Sequence, residues 1–207
     1  MGGRSNFFAM LSRMKYVNRW GLMHSHKPES LSEHTLDVIF ISHALVVIAN
    51  TYYGGSFDEG KVVLLAAFHD APEIITGDLP TPVKYFDPGI KQAYNHVEES
   101  VKQKMIAQLP EEMQMNYDVI MNRGNPEDDM LMNYVRAADK LSALIKCIEE
   151  ESSGNNDFRQ AKETIRKSID EMNMPEVDFF LDNFLPGFYL TLDELINPEA
   201  EDACGND

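Results

Sequence analysis

The chain has 207 residues, with 18 Lys and Arg against 34 Asp and Glu and a net charge of −16; its pI is near 4.7. Phosphate backbones and anionic membranes are bound through clustered positive charge, so this balance argues against a general nucleic-acid or lipid-surface binder. A hydrophobic share of 43% with 10% aromatic residues excludes global disorder and suffices for one sizeable core.

From the amino terminus, Met1 to Asn6 lacks the apolar stretch of a signal peptide, and Asn6 stands where a myristoylation site wants Ser or Thr. Phe7, Met10, Leu11, Met14 and Val17 recur at helical spacing and predict a first helix, with Ser5 available as its cap. An irregular stretch from Asn18 to Leu31 follows, holding Arg19, Trp20, His24 and His26. Ser32 is expected to cap a second helix carrying Leu36, Ile39, Phe40, His43, Val47 and Ile48. Its apolar run, Val38 to Ala49, is broken by Ser42 and His43 and is too short for a bilayer span. His43, on the apolar side, is expected to be buried and hydrogen-bonded. Asp58 can cap a third helix through Val62, Leu65, Ala66 and His69.

The second irregular stretch is Thr76-Gly77-Asp78-Leu79-Pro80-Thr81-Pro82, where glycine and two prolines argue against helix. Further helices are predicted over 88–109, 126–152, 155–172 and 176–185, three of them starting at or just after proline. Tyr52 to Gly55 and Ser152 to Asn156 read as turns, and Glu149-Glu150-Glu151 as a solvated helix end. Strand alternation and internal repeats are absent. The expectation is one all-α domain over 1–197 and an acidic tail, 198–207, that frays. Cys147 and Cys204 make no disulfide framework, so a soluble protein in a reduced, cytoplasmic setting is expected.

The sharpest chemical signal is His69-Asp70 with Glu73 three residues on. Neighbouring helical side chains diverge by about 100°, so His69 and Asp70 can share one ion only at a helix end, and Pro72 supplies that end. His34, early in the second helix, and Asp139, on an apolar helical face with Val135, Ala138, Leu141 and Leu144, complete a candidate set. Each has a plainer role open to it. His34 can be satisfied within its own cap, and Asp139 can pair with Arg136 or Lys140. Glu73 can face solvent, Arg19 can form a surface ion pair, and Trp20 can anchor the core. His24-x-His26 imitates a metal pair without a third ligand.

The order His…His-Asp…Asp on separate helices resembles the HD-domain phosphohydrolase superfamily. Asn18-Arg19-Trp20, Ser32-Glu33-His34, His69-Asp70 with Glu73, the stretch from Thr76 to Phe86, Ala138-Asp139, Lys146-Cys147 and Gly154-Asn155-Asn156 are similar to the bacterial YfbR-type 5′-deoxynucleotidases. The similarity runs from about Phe7 to Leu195. It implies a single HD-domain helical bundle that removes phosphate from deoxyribonucleoside 5′-monophosphates, working as a homodimer. It also implies one divalent ion, since only His96 lies between the His-Asp pair and Asp139 where dinuclear relatives carry extra histidines. The ligands would be His34, His69, Asp70 and Asp139. Their N₂O₂ chemistry suits Co, Mn, Zn, Ni or Fe(II), with Co favoured by the resemblance.

Carried over residue by residue, Glu73 activates water and Arg19 clamps phosphate. Trp20 packs on the sugar where a 2′-hydroxyl would clash. Asp78, Leu79, Pro80 and Thr81 contact the nucleotide, with Asp78 assisting at the leaving oxygen or sugar hydroxyl. His34, Asp70 and Asp139 border the substrate as well, and Lys84 adds local positive charge. Two other readings fit the same residues: an HD phosphohydrolase acting on nucleotide polyphosphates, or a non-catalytic nucleotide sensor.

Overall fold

Phe7 is fully buried, and the chain winds around it as a short helix, α1 (Phe7–Leu11), that tightens into a 3-10 turn over Ser12–Tyr16. Asn6, not the expected Ser5, is the cap residue of α1; Ser5 Oγ accepts the Phe7 N–H at 3.3 Å from one position further out. The computed structural model describes residues 4–84, 86–122 and 126–197. The expected frayed tail, Cys204 and Tyr85 lie outside the described residues.

Val17 turns extended, and Asn18 pairs with Ser30 in an isolated antiparallel bridge. Arg19 N–H reaches Glu29 O at 2.9 Å and Leu31 N–H reaches Val17 O at 2.8 Å, so residues 18–30 form a loop tied at its neck. Helix α2 (Leu31–Tyr52) then starts at Ser30 rather than Ser32. Ser30 and Glu33 form a capping box, which satisfies two end groups where Ser32 could satisfy one. By length and mean hydropathy, 1.5 over 18 residues, α2 is apolar enough to cross a bilayer, which the run Val38 to Ala49 alone did not suggest. Here Leu31, Val38, Leu45 and Val46 are instead buried against the domain's own helices. His43 is exposed, contrary to expectation: it falls on the outer stripe with Leu36 and Phe40.

Helix α3 (Glu59–Phe68) is capped by Asp58, as expected, and stops at His69. A turn over His69 to Pro72 leads into α4 (Glu73–Thr76), and Gly77 at φ +71° ends it in a conformation that side chains resist. The next stretch is not free of helix as expected. Helix α5 (Thr81–Lys84) places Pro82 in its first turn, where the missing N–H costs nothing. Helix α6 (Pro88–Ile106) follows, then α7 (Glu111–Met121), which the sequence reading missed although Pro110 opens it.

Helix α8 (Pro126–Ser152) is the longest element and packs against α2 and α3. A 3-10 turn (Asn156–Phe158) leads to α9 (Arg159–Asp170), then α10 (Pro175–Asn183). A further 3-10 turn (Leu185–Tyr189) precedes α11 (Leu192–Ile196). Leu45, Leu65, Leu141 and Leu144 sit at the centre of the main core. Phe7, Ala71, Val101 and Met105 form a second cluster beneath α6 and α7. Burying each of the Leu, Val, Met and Phe side chains among them contributes about 1.5–3 kcal/mol.

Glu150 corrects the solvated reading of its acidic run: it is 2% exposed. Its carboxylate accepts from the His26 and Lys27 N–H groups, from Lys146 Nζ and from Asn155 Nδ2. Lys146 also donates to Lys27 O at 2.6 Å, and Asn155 to His24 O at 2.7 Å. The His24-x-His26 loop is therefore pinned to α8. Burial pushes the Glu150 carboxyl up, but these donors outweigh it and hold it at about 2.

Candidate metal centre

Two helices and the turn between α3 and α4 bring four side chains near one another. His34, near the start of α2, is wholly buried. His69 and Asp70 occupy the turn that Pro72 forces between α3 and α4, where adjacent side chains need not diverge. Asp139 comes from the middle of α8. His34 Nε2 lies 3.1 Å from Asp139 Oδ1 and 3.7 Å from Asp70 Oδ2, and His69 Nε2 lies 2.9 Å from Asp70 Oδ2. Potential ligand atoms of His34, His69 and Asp70 all fall within 4.8 Å of one another. Arg136 and Lys140 turn instead to Asn133 and Ser168.

The donor set fits a divalent ion. His69 Nδ1 stands 2.7 Å from Ala66 O, and a carbonyl can only accept, so Nδ1 carries a proton and Nε2 offers the lone pair. Although carboxylates stand close, neither His34 Nε2 nor His69 Nε2 makes a directed hydrogen bond. Two buried nitrogens without a partner, facing two carboxylates, are the arrangement a borderline cation satisfies.

At His34 the other nitrogen is contested. Nδ1 lies 3.0 Å from Ser142 Oγ and 2.8 Å from Arg19 Nη1. Arginine has no lone pair, so the Arg19 contact requires Nδ1 as acceptor; a ligand bonding through Nε2 requires Nδ1–H donating to Ser142.

The charges are tightly coupled. Burial alone would lower His69, but Asp70 outweighs it and raises the ring to about 9. The surrounding protein disfavours the Asp139 charge although its side chain is 44% exposed, yet the close approach of His34 and the nearby cations hold it below the usual carboxylate range. Burial, together with the charges of Asp70 and Asp78, pushes Glu73 up to about 9. Glu73 is 8% exposed, and its Oε2 has no hydrogen-bond partner.

Arg19 donates through Nη1 to Glu29 Oε2 at 2.8 Å, and its Nη2 faces Asp139 at 3.8 Å. Trp20 donates Nε1 to the same Glu29 oxygen and its backbone N–H to Asp78 Oδ2 at 3.2 Å, joining the two irregular stretches. Leu79 and Pro80 follow, half-buried. The side chain of Thr81 lies outside the described residues. A cleft of about 200 Å³ opens beside the centre, lined by His69, Asp70, Glu73, Lys84, Lys102 and Arg136. Lys84 Nζ sits 5.3 Å from the Tyr94 ring centre.

Glu29, Ser142 and Lys102 escaped the sequence reading. Ser142 had a weak signal, a hydroxyl amid apolar residues three positions after Asp139. Glu29 and Lys102 had none, because only the fold brings Glu29 to Arg19 and Trp20 and Lys102 to the cleft.

Residues 6–188 match the model of the 5′-deoxynucleotidase YfbR-like family. The chain belongs to the YfbR-like 5′-deoxynucleotidase family. A 5′-deoxynucleotidase of Vibrio parahaemolyticus is 43% identical over 192 residues, covering 92% of this chain and 98% of its own. One from Yersinia pestis is 44% identical over 193 residues, covering 92% and 96%. Among solved structures, an HD-domain phosphohydrolase of Listeria innocua superposes with a TM-score of 0.75 at 23% identity, covering 96% of this chain and 97% of that one. The cyanophage S-2L HD phosphohydrolase, solved with dA and one catalytic Zn²⁺, gives 0.62 at 18% identity, covering 92% and 100%. The all-α HD bundle of this YfbR-like chain is thus a shared architecture.

Proposed function

We propose that the chain is a metal-dependent 5′-deoxynucleotidase, converting a deoxyribonucleoside 5′-monophosphate and water into deoxyribonucleoside and phosphate. The observation that carries this is the unpartnered pair of buried imidazole nitrogens facing two carboxylates, in a chain of the YfbR-like family. His34, His69, Asp70 and Asp139 hold one divalent transition-metal ion, for which Co, Mn, Zn, Ni and Fe(II) all suit the donor chemistry. When bound, the ion supplies Lewis-acid polarisation of the attacking water and the phosphate.

The protein's own groups do the rest. Glu73 takes the proton of the attacking water, a role a buried carboxylate beside a cation can fill. Arg19 keeps Nη2 available for a phosphate oxygen, since Nη1 is committed to Glu29. Trp20 walls the sugar and excludes a 2′-hydroxyl. Asp78, held by the Trp20 N–H, serves the leaving 5′-oxygen or the 3′-hydroxyl, and Leu79, Pro80 and Thr81 line the nucleotide. Residues 1–197 form the one HD domain. The enzyme works in the cytoplasm as a homodimer, for which the exposed Phe184, Phe188, Tyr189 and Leu190 offer an apolar surface.

Phosphate release from dAMP, dCMP, dGMP, dTMP and their ribo counterparts, with and without chelator, tests this. Deoxynucleotides should be preferred and chelation should abolish turnover. Release of pyrophosphate from nucleoside triphosphates would favour the polyphosphate reading. Nucleotide binding without turnover would favour a sensor, and activity surviving full metal removal would refute the mechanism.

A further inference from the structure

Glu29 lies across the Asn18–Ser30 bridge from Arg19, and its side chain is only 9% exposed. A single oxygen, Oε2, accepts both Arg19 Nη1 and Trp20 Nε1, each at 2.8 Å. The two side chains assigned above to phosphate and sugar therefore share one buried anchor. Bonds to an ionised acceptor are the stronger kind, and their loss leaves a donor stranded.

Trp20 needs such an anchor. Its φ of +62° is a left-handed conformation that a bulky residue holds only when its surroundings impose it. The indole also leans on Phe158, with ring centres 5.2 Å apart at 59°. A ring contact tolerates rotation, whereas the Nε1–Glu29 bond fixes which edge faces inward. The Arg19–Glu29 bond is likewise independent of which His34 nitrogen carries the proton, unlike the Arg19–His34 contact.

We propose that Glu29 is a positioning residue that sets Arg19 and Trp20 as one unit and thereby fixes both substrate affinity and the preference for deoxyribose over ribose. This rests on the deoxynucleotidase reading, and the test separates the two. Trp20 is the one tryptophan of the chain, so its emission reports this indole alone. In Glu29→Gln, emission should shift to the red and acrylamide quenching should rise, with metal content unchanged. KM for dAMP should rise about tenfold with kcat within about threefold, and the deoxy-to-ribo ratio of kcat/KM should fall about fivefold. Glu29→Asp, with its charge on a shorter arm, should change in the same direction and serves if Glu29→Gln is unstable. Wild-type emission and an unchanged sugar ratio in the variant would overturn the proposal. If the wild-type protein turns over no deoxynucleotide, the functional reading falls by itself, and the emission of Glu29→Gln still decides whether Glu29 places Trp20.

Discussion

On the proposed mechanism, His69 and Glu73 both hold protons they would have to give up. With His69 raised to about 9 from an ordinary 6.5, and Glu73 also near 9, both are protonated at neutral pH while no cation is present. A ligand imidazole must be neutral, so on the proposed metal site an arriving ion would expel the His69 proton and favour loss of the Glu73 proton. Metal affinity should therefore climb as pH rises towards about 9 and level off above it, by about tenfold per pH unit for each proton released. Competition with a chelator of known affinity across this range measures it; affinity flat from neutral pH upward would show a ring already deprotonated. The sign for the metal-free fold is opposite. Stability from the His69–Asp70 pair is complete below the ordinary 6.5 and is lost as pH rises through about 9. His34, His69, Asp70 and Asp139 were legible as a set from their order along the chain, and the structure brings them near one another. Ser142 and Glu29 were not, since a hydroxyl and a glutamate look ordinary until the fold brings His34 and Trp20 to them.

At the scale of elements, the helix starts were the legible part: prolines open α6, α8 and α10, and Asp58 caps α3. What sequence could not resolve was competition among neighbouring caps, Ser30 over Ser32, and the short α4 and α5, too brief to show a period. The loop of residues 18–30 was missed as a structured element because its restraints come from α8. Glu150 supplies the central one. Glu150→Gln should raise KM for the nucleotide and hasten hydrogen exchange at the His26 and Lys27 amides while leaving metal content intact; unchanged exchange there would show the loop held by other contacts. Acid should act similarly. The Glu150 carboxyl is depressed to about 2, so its contribution is present above the ordinary 4.5 and lost as pH falls from there through about 2.

For the whole molecule, a net charge of −16 opposes an anionic substrate. Fields from distant surface charge are screened beyond roughly 8 Å at physiological ionic strength, whereas Arg19, in the proposed role, acts at contact. Substrate association should therefore quicken as salt rises from low concentration towards the physiological range, the reverse of an enzyme that steers its substrate. Stopped-flow nucleotide binding at two ionic strengths reads the sign, and a rate that falls with salt would locate a dominant positive field at the cleft. One further consequence follows from α8. Asp139, Ser142, Lys146 and Glu150 lie along one side of a single rod, about 16 Å from first to last. Inserting one residue between them would swing everything beyond it by about 100°. The distance from Asp139 to the residues that pin the loop is thus kept by helical register, so either end can be altered by substitution but not by changing the length of what joins them.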